Sequence, residues 1–145
     1  MNSILVIGAS RGIGLELVRQ YTEAGRRVIA TVRDDAGRER VRALGAEALT
    51  VDVAHPASIS GLAWQLDGEK IDIAWYVAGV IRRPNALTPP TLQDFDAVMH
   101  TNVLGAMQAI PQVAPLVADA GGAFAFLSSS MSQIGSVPNS GSWLY

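Results

Sequence analysis

The chain has 145 residues, 49% of them apolar and 17% charged, with a formal net charge of −2. That is the composition of one globular domain, and so balanced a charge gives nucleic acid no electrostatic footing. There is no cysteine, which excludes disulfides and thiol chemistry and suits a reducing compartment. No apolar run approaches the length of a membrane span, and Met1-Asn2-Ser3 leads straight into a strand rather than a leader. A cytoplasmic protein that engages neither membrane nor nucleic acid is expected.

Short apolar runs alternate with helical patterns, the signature of parallel βαβ units. The first strand covers Ser3 to Ile7, and a helix follows from Gly12 to Ala24. Its inward stripe is expected to be Ile13, Leu17, Val18 and Tyr21, with Gly25 closing it. Between strand and helix stands Gly8-Ala9-Ser10-Arg11-Gly12-Ile13-Gly14. Gly8 permits the sharp turn, Gly12 a close approach of backbone to phosphate, and Gly14 tight helix–strand packing. The helix N-terminus then offers unpaired N–H groups to an anion. The alternative is a tight connection with spare glycines, but the flanking strand and helix favour a nucleotide site made by Gly8, Ser10, Arg11, Gly12, Ile13 and Gly14.

Arg27 to Val32 forms the second strand, and a charged helix runs from Asp35 to Leu44 before Gly45. The third strand, Ala48 to Val51, ends in Asp52-Val53. Pro56 opens a helix to Leu66 with Ile59, Leu62 and Ala63 inward. The fourth strand, Ile71 to Val77, is apolar on both faces, as a central parallel strand should be. After a proline-rich loop carrying Arg82 and Arg83, Thr91 caps a long helix to Ala118, aided by Asp94 in its first turns. Ala123 to Leu127 is the fifth strand, and a Ser/Gly-rich tail reaches Tyr145. The pattern predicts an α/β, doubly wound parallel sheet ordered 3-2-1-4-5, whose ligands bind at the carboxyl ends of the strands.

With these elements placed, the chain resembles the short-chain dehydrogenase/reductase family, which builds a Rossmann sheet. The matching residues are Gly8-x-x-x-Gly12-Ile13-Gly14, Asp52-Val53, Ala78-Gly79, Asn102-Val103-Leu104-Gly105, Ser128-Ser129 and Tyr145. The run Ser128 to Gly135 is similar to the Sniffer and C-factor carbonyl reductases. Two stretches depart from the family pattern. Ile7 replaces the usual threonine, with the expected loss of a hydrogen bond tying down the glycine turn. Tyr76-Val77 replaces two asparagines, removing polar groups that steady strand four.

The resemblance implies hydride transfer between a nicotinamide and a small carbonyl or alcohol substrate, with Asp52, Val53, Ala78 and Gly79 also at the cofactor. It implies that Tyr145 is the proton donor, that Ser129 hydrogen-bonds the substrate oxygen, and that Asn102 distorts the long helix and holds a relay water. Ser129 is placed by the end of strand five; loop counting points instead to Ser132. The segment Thr31-Val32-Arg33 lacks the carboxylate that would accept from an NAD ribose, and Arg33 and Arg11 supply cations for an extra phosphate. NADP(H) is therefore favoured over NAD(H), against a reading of Arg33 as a solvated loop residue beside Asp34 and Asp35. His55 and His100 read as surface residues, Trp64 and Trp75 as packing residues, and Trp143 as either pocket or loop packing.

In the family a lysine follows the tyrosine by four residues, and the sequence ends at Tyr145. The expectation is a single dinucleotide-binding domain over residues 1–145, cut at its C-terminal end and inactive as it stands, from a longer, homo-oligomeric enzyme. Two rivals are a non-catalytic NADP(H) sensor on the same fold and an adenosylmethionine-dependent transferase. The second leaves Arg11, Arg33 and the Ser-to-Tyr segment without a role.

Overall fold

The computed structural model describes residues 3–82 and 88–133. Arg83, the tail from Ile134 through Trp143, and Tyr145 lie outside the described residues. Five strands alternate with helices in the order β1 (Ser3–Ile7), α1 (Gly12–Glu23), β2 (Arg27–Val32), α2 (Asp35–Ala43) and β3 (Glu47–Thr50). Two single-turn helices, α3 (Pro56–Ile59) and α4 (Leu62–Gln65), lead to β4 (Ile71–Tyr76). Then come α5 (Leu92–Val98), a π-helical stretch (Met99–Leu104), α6 (Gly105–Ala120) and β5 (Ala123–Phe126). The strands form one parallel sheet ordered β3-β2-β1-β4-β5, the predicted order.

Parallel strands need helices on both faces, so the central one must be apolar at every position. All five residues of β1 are buried. Leu5 and Ile7 point to a core shared with Ile59, Leu62, Leu66, Ala109 and Val113, under α3, α4 and α6. Ile4 and Val6 point the other way, to Val18 and Val41 under α1 and α2. This two-residue alternation is the pleat.

Helix ends follow local chemistry. The Asp34 carboxylate accepts from Gly37 N at 2.7 Å to cap α2, and Thr91 Oγ1 accepts from Asp94 N at 3.1 Å to cap α5. Gly121, at φ +65, closes α6 in the left-handed conformation.

Several expectations need correction. The helix from Pro56 to Leu66 is two single turns separated at Ser60-Gly61; Ile59, Leu62 and Leu66 are buried while Ala63 is exposed. Trp64 is 82% exposed rather than packed, whereas Trp75 is half-buried and donates its indole N–H to Tyr21 Oη at 3.1 Å. Ile13 is 60% exposed and does not join the stripe of α1, where Leu15 packs with Leu17 and Tyr21 around Val18. The first turn of a helix that overhangs a cleft has no sheet beneath it, and periodicity alone does not reveal that. His55 is exposed as expected, but His100 is half-buried, its Nδ1 2.7 Å from the Asp96 carbonyl.

At the amino ends of the strands, Arg27 donates to both Glu69 carboxylate oxygens, one of them at 2.8 Å, and to Glu47 at 2.8 Å. Arg27 holds the Glu69 carboxyl below its ordinary 4.5. The unfolded chain therefore binds more protons than the native one just below that range. The stabilisation is complete at and above neutral pH and is lost as pH falls through the native value. Glu69→Gln is expected to cost on the order of 1 kcal/mol at pH 7. Urea unfolding should show the gap from wild type closing on acidification; a gap independent of pH refutes the coupling.

Candidate functional site

A cleft of about 1180 Å³ opens along the carboxyl ends of β1, β2, β4 and β5, where a doubly wound sheet changes direction. Its floor is built by close approach of backbones. A Cβ on Gly8, at φ +95, would stand 2.6 Å from Cα of Ala78, so only glycine lets the ends of β1 and β4 meet. Ile7 O accepts from both Val77 N (2.9 Å) and Ala78 N (3.0 Å), which binds the Ala78-Gly79 corner to the glycine turn.

The turn is also tied from β2. Thr31 Oγ1 accepts from Gly8 N at 3.0 Å, and its carbonyl accepts from Ala9 N at 2.8 Å. The anchor expected to be missing with Ile7 is thus supplied by a threonine on the neighbouring strand. Ser10 is clamped similarly. Its Oγ accepts from Arg33 N at 3.2 Å, and its carbonyl accepts from Arg40 Nε at 2.9 Å. Sequence reasoning missed Thr31 and Arg40 because their partners are distant in the chain.

Arg11 precedes α1 without a capping side-chain bond, and no acidic residue stands in the first turn. The leading N–H groups of α1 are therefore left for a ligand, and they meet no competing carboxylate. Arg11, Gly12, Ile13 and Arg33 all line the cleft. Neither neighbouring acid competes with Arg33. Asp34 is turned into the cap of α2, and Asp35 lies 3.3 Å from Arg38.

Opposite, Asp52 Oδ1 accepts from Ala54 N at 3.0 Å and Oδ2 lies 3.0 Å from His55 Nδ1, while Val53 is buried beneath. Asn102 stands in the π-helical stretch, where its Oδ1 accepts from Val80 N at 2.8 Å and its Nδ2 donates to Val80 O at 2.9 Å. After β5, Ser129 and Ser132 both line the cleft. The Ser132 hydroxyl donates to Ser129 O at 2.7 Å. The cleft thus brings together Gly8, Ser10, Arg11, Gly12, Ile13, Arg33, Asp52, Val53, Ala78, Gly79, Asn102 and Ser129. Gly14 sits behind it, against Gly8 O. Among the described residues, no group of three or more His, Asp or Glu could hold a metal, and no helix is long and apolar enough to cross a membrane.

A family model described as short chain dehydrogenase matches residues 2–142. The chain belongs to the short-chain dehydrogenase/reductase family. It is 29% identical, over its whole length and 64% of the relative's, to the 1-hydroxy-2-glutathionyl-2-methyl-3-butene dehydrogenase of Rhodococcus sp. (strain AD45). It is 30% identical to the NADPH-dependent pterin aldehyde reductase of Arabidopsis thaliana, over 79% of this chain and 50% of that one. Among solved structures, a short-chain dehydrogenase/reductase of Burkholderia multivorans with bound NADP superposes with a TM-score of 0.86. It is 31% identical over 99% of this chain and 65% of the other. The chain therefore spans between half and two thirds of the length of these short-chain dehydrogenase relatives. Neither curated relative is named as a Sniffer or C-factor protein, and that subgroup stays an expectation from the serine-rich tail.

Proposed function

We propose that residues 1–145 are the dinucleotide-binding domain of a longer NADP(H)-dependent oxidoreductase that moves a hydride between nicotinamide and a carbonyl or alcohol carbon. The observation that carries this is the arrangement of Arg11 and Arg33 in the cleft with Asp34 and Asp35 both engaged elsewhere. A phosphate on the adenosine ribose gains two guanidinium partners and meets no carboxylate. The residues present fit such a cofactor: the glycine turn and the start of α1 would take the pyrophosphate, and Asp52 and Val53 would flank the adenine. Ala78 and Gly79 would line the nicotinamide side. The bound NADP of the Burkholderia neighbour and the NADPH dependence of the Arabidopsis relative support the choice.

The cofactor, when bound, supplies the hydride. On this reading Ser129 hydrogen-bonds the substrate oxygen and Tyr145 donates the proton. Ser129 is kept over Ser132 because it stands close behind the end of β5, which fixes its place better than loop counting. The exposed apolar residues Met107 and Ile110 on the long helix support a homo-oligomeric full-length protein. The test is titration of the full-length protein with NADPH and NADH, followed by NADPH oxidation in the presence of small aldehydes and ketones. Tighter binding of NADPH with turnover is expected. Absence of binding would sink the reading, and NADPH binding without turnover would favour a sensor.

A further inference from the structure

The position before Val77 holds a tyrosine that borders the cleft yet is almost wholly buried. Tyr76 is 4% exposed, its ring stacks on Phe126 at 5.7 Å between centroids, and its Oη donates to the Thr101 carbonyl at 2.9 Å. Thr101 lies in the π-helical stretch, immediately before Asn102. A π-turn widens the helix and shifts its backbone bonds, which opens carbonyls to outside donors. The space is fitted to this contact: a Cβ on Gly105 would stand 2.6 Å from Tyr76 Oη. Burial raises the pKa of the phenol, so the hydroxyl keeps its proton and remains a donor throughout the working pH range. One residue further on, Asn102 uses both ends of its amide on Val80, and Val80 belongs to the rim of the cleft.

We propose that Tyr76 is a positioning residue: its hydroxyl pins the π-turn at Thr101, and the pinned turn presents Asn102 so that its amide fixes the Val80 backbone at the rim. The path runs from β4 through one carbonyl to Asn102, and from there back to the loop that leaves β4. It closes a ring that holds the cleft wall in one shape. The functional weight of that wall rests on the cofactor reading above; the geometric role of Tyr76 does not.

The experiment is residue-resolved hydrogen exchange on the full-length protein, read at the Val80 amide. Tyr76→Phe is expected to speed exchange there by about five- to tenfold, the factor that corresponds to losing one buried hydrogen bond. Asn102→Ala should speed it at least as much, and adding Tyr76→Phe to it should bring no more than about a further twofold, because the two act in series. Val41→Ala, a buried change on the other face of the sheet, is the control. It should lower thermal stability while leaving the Val80 amide at its wild-type rate relative to the amides of β4. Equal acceleration by Tyr76→Phe and the control, no acceleration by Tyr76→Phe, or additive effects with Asn102→Ala would each overturn the proposal. NADPH binding by the wild type, measured alongside, tests the functional reading separately. Its absence would overturn that reading while the exchange rates still decide the role of Tyr76.

Discussion

One methyl group at Gly14 is expected to cost about 3 kcal/mol of stability and to abolish dinucleotide binding with it. A Cβ there would stand 2.1 Å from Gly8 O and 3.0 Å from Cα of Ala9. Both obstacles are main chain, and both belong to the turn whose shape the site needs, so no side chain can swing aside. Helix α1 would have to lift from β1, taking its leading N–H groups away from the cleft and uncovering Val18. Gly12→Ala is the instructive contrast. Gly12 has φ +60, yet a Cβ there meets nothing within 4 Å. Its cost is conformational, about 1–2 kcal/mol, and the packing of α1 survives. Urea unfolding of the two variants beside wild type, with NADPH titration of each, separates the effects. A Gly14→Ala protein within about 0.5 kcal/mol of wild type, inside the spread of ordinary surface substitutions, would refute the close-packing argument.

Arg33→Asp is expected to reverse the cofactor preference, weakening NADPH by about a hundredfold while leaving NADH within a few fold. Charge-assisted hydrogen bonds are each worth roughly 1.5–3 kcal/mol, and the new carboxylate would also repel the phosphate. The change is local because the part of Arg33 that holds the fold is its backbone, whose N–H donates to Ser10 Oγ and survives any substitution except proline. Dissociation constants for both cofactors, measured at two salt concentrations, check this. A screened guanidinium–phosphate contact makes wild-type NADPH binding salt-sensitive and the variant's less so. Equal loss of NADPH and NADH would place Arg33 in the structure of the turn rather than at the phosphate.

Much of this was legible from the sequence, for a physical reason: a strand, its turn and the following helix are local. Ser3 to Glu23 needs only residues within that span to declare itself, and the sheet order follows from short crossovers of one hand. What stayed illegible depends on partners distant in the chain. Thr31 and Arg40 anchor the glycine turn from another strand and another helix, and nothing around either residue reveals that. The π-helical stretch contains neither proline nor glycine; periodicity reads straight through Met99–Leu104, and only the likeness to known relatives pointed at Asn102. Ile13 fits an inward stripe by spacing yet sits where the helix has no sheet below it. Trp64 shows the same limit in reverse, since a large apolar residue by itself does not say which side of a short helix faces water.

The order of synthesis gives the central position of β1 a further consequence. The β1 strand leaves the ribosome before both of the strands that flank it, and those two arrive at different times. The β2 strand follows after one short helix, whereas β4 lies roughly forty residues later, which at about 5–20 residues per second is a delay of several seconds. During that interval one side of β1 presents unpaired backbone next to Ile4, Leu5, Val6 and Ile7, an exposed apolar edge of the kind holdase chaperones cover. Ile71–Tyr76 closes it. Slowing translation between β2 and β4 is therefore expected to lower the soluble yield, and slowing it after β4 to leave the yield unchanged.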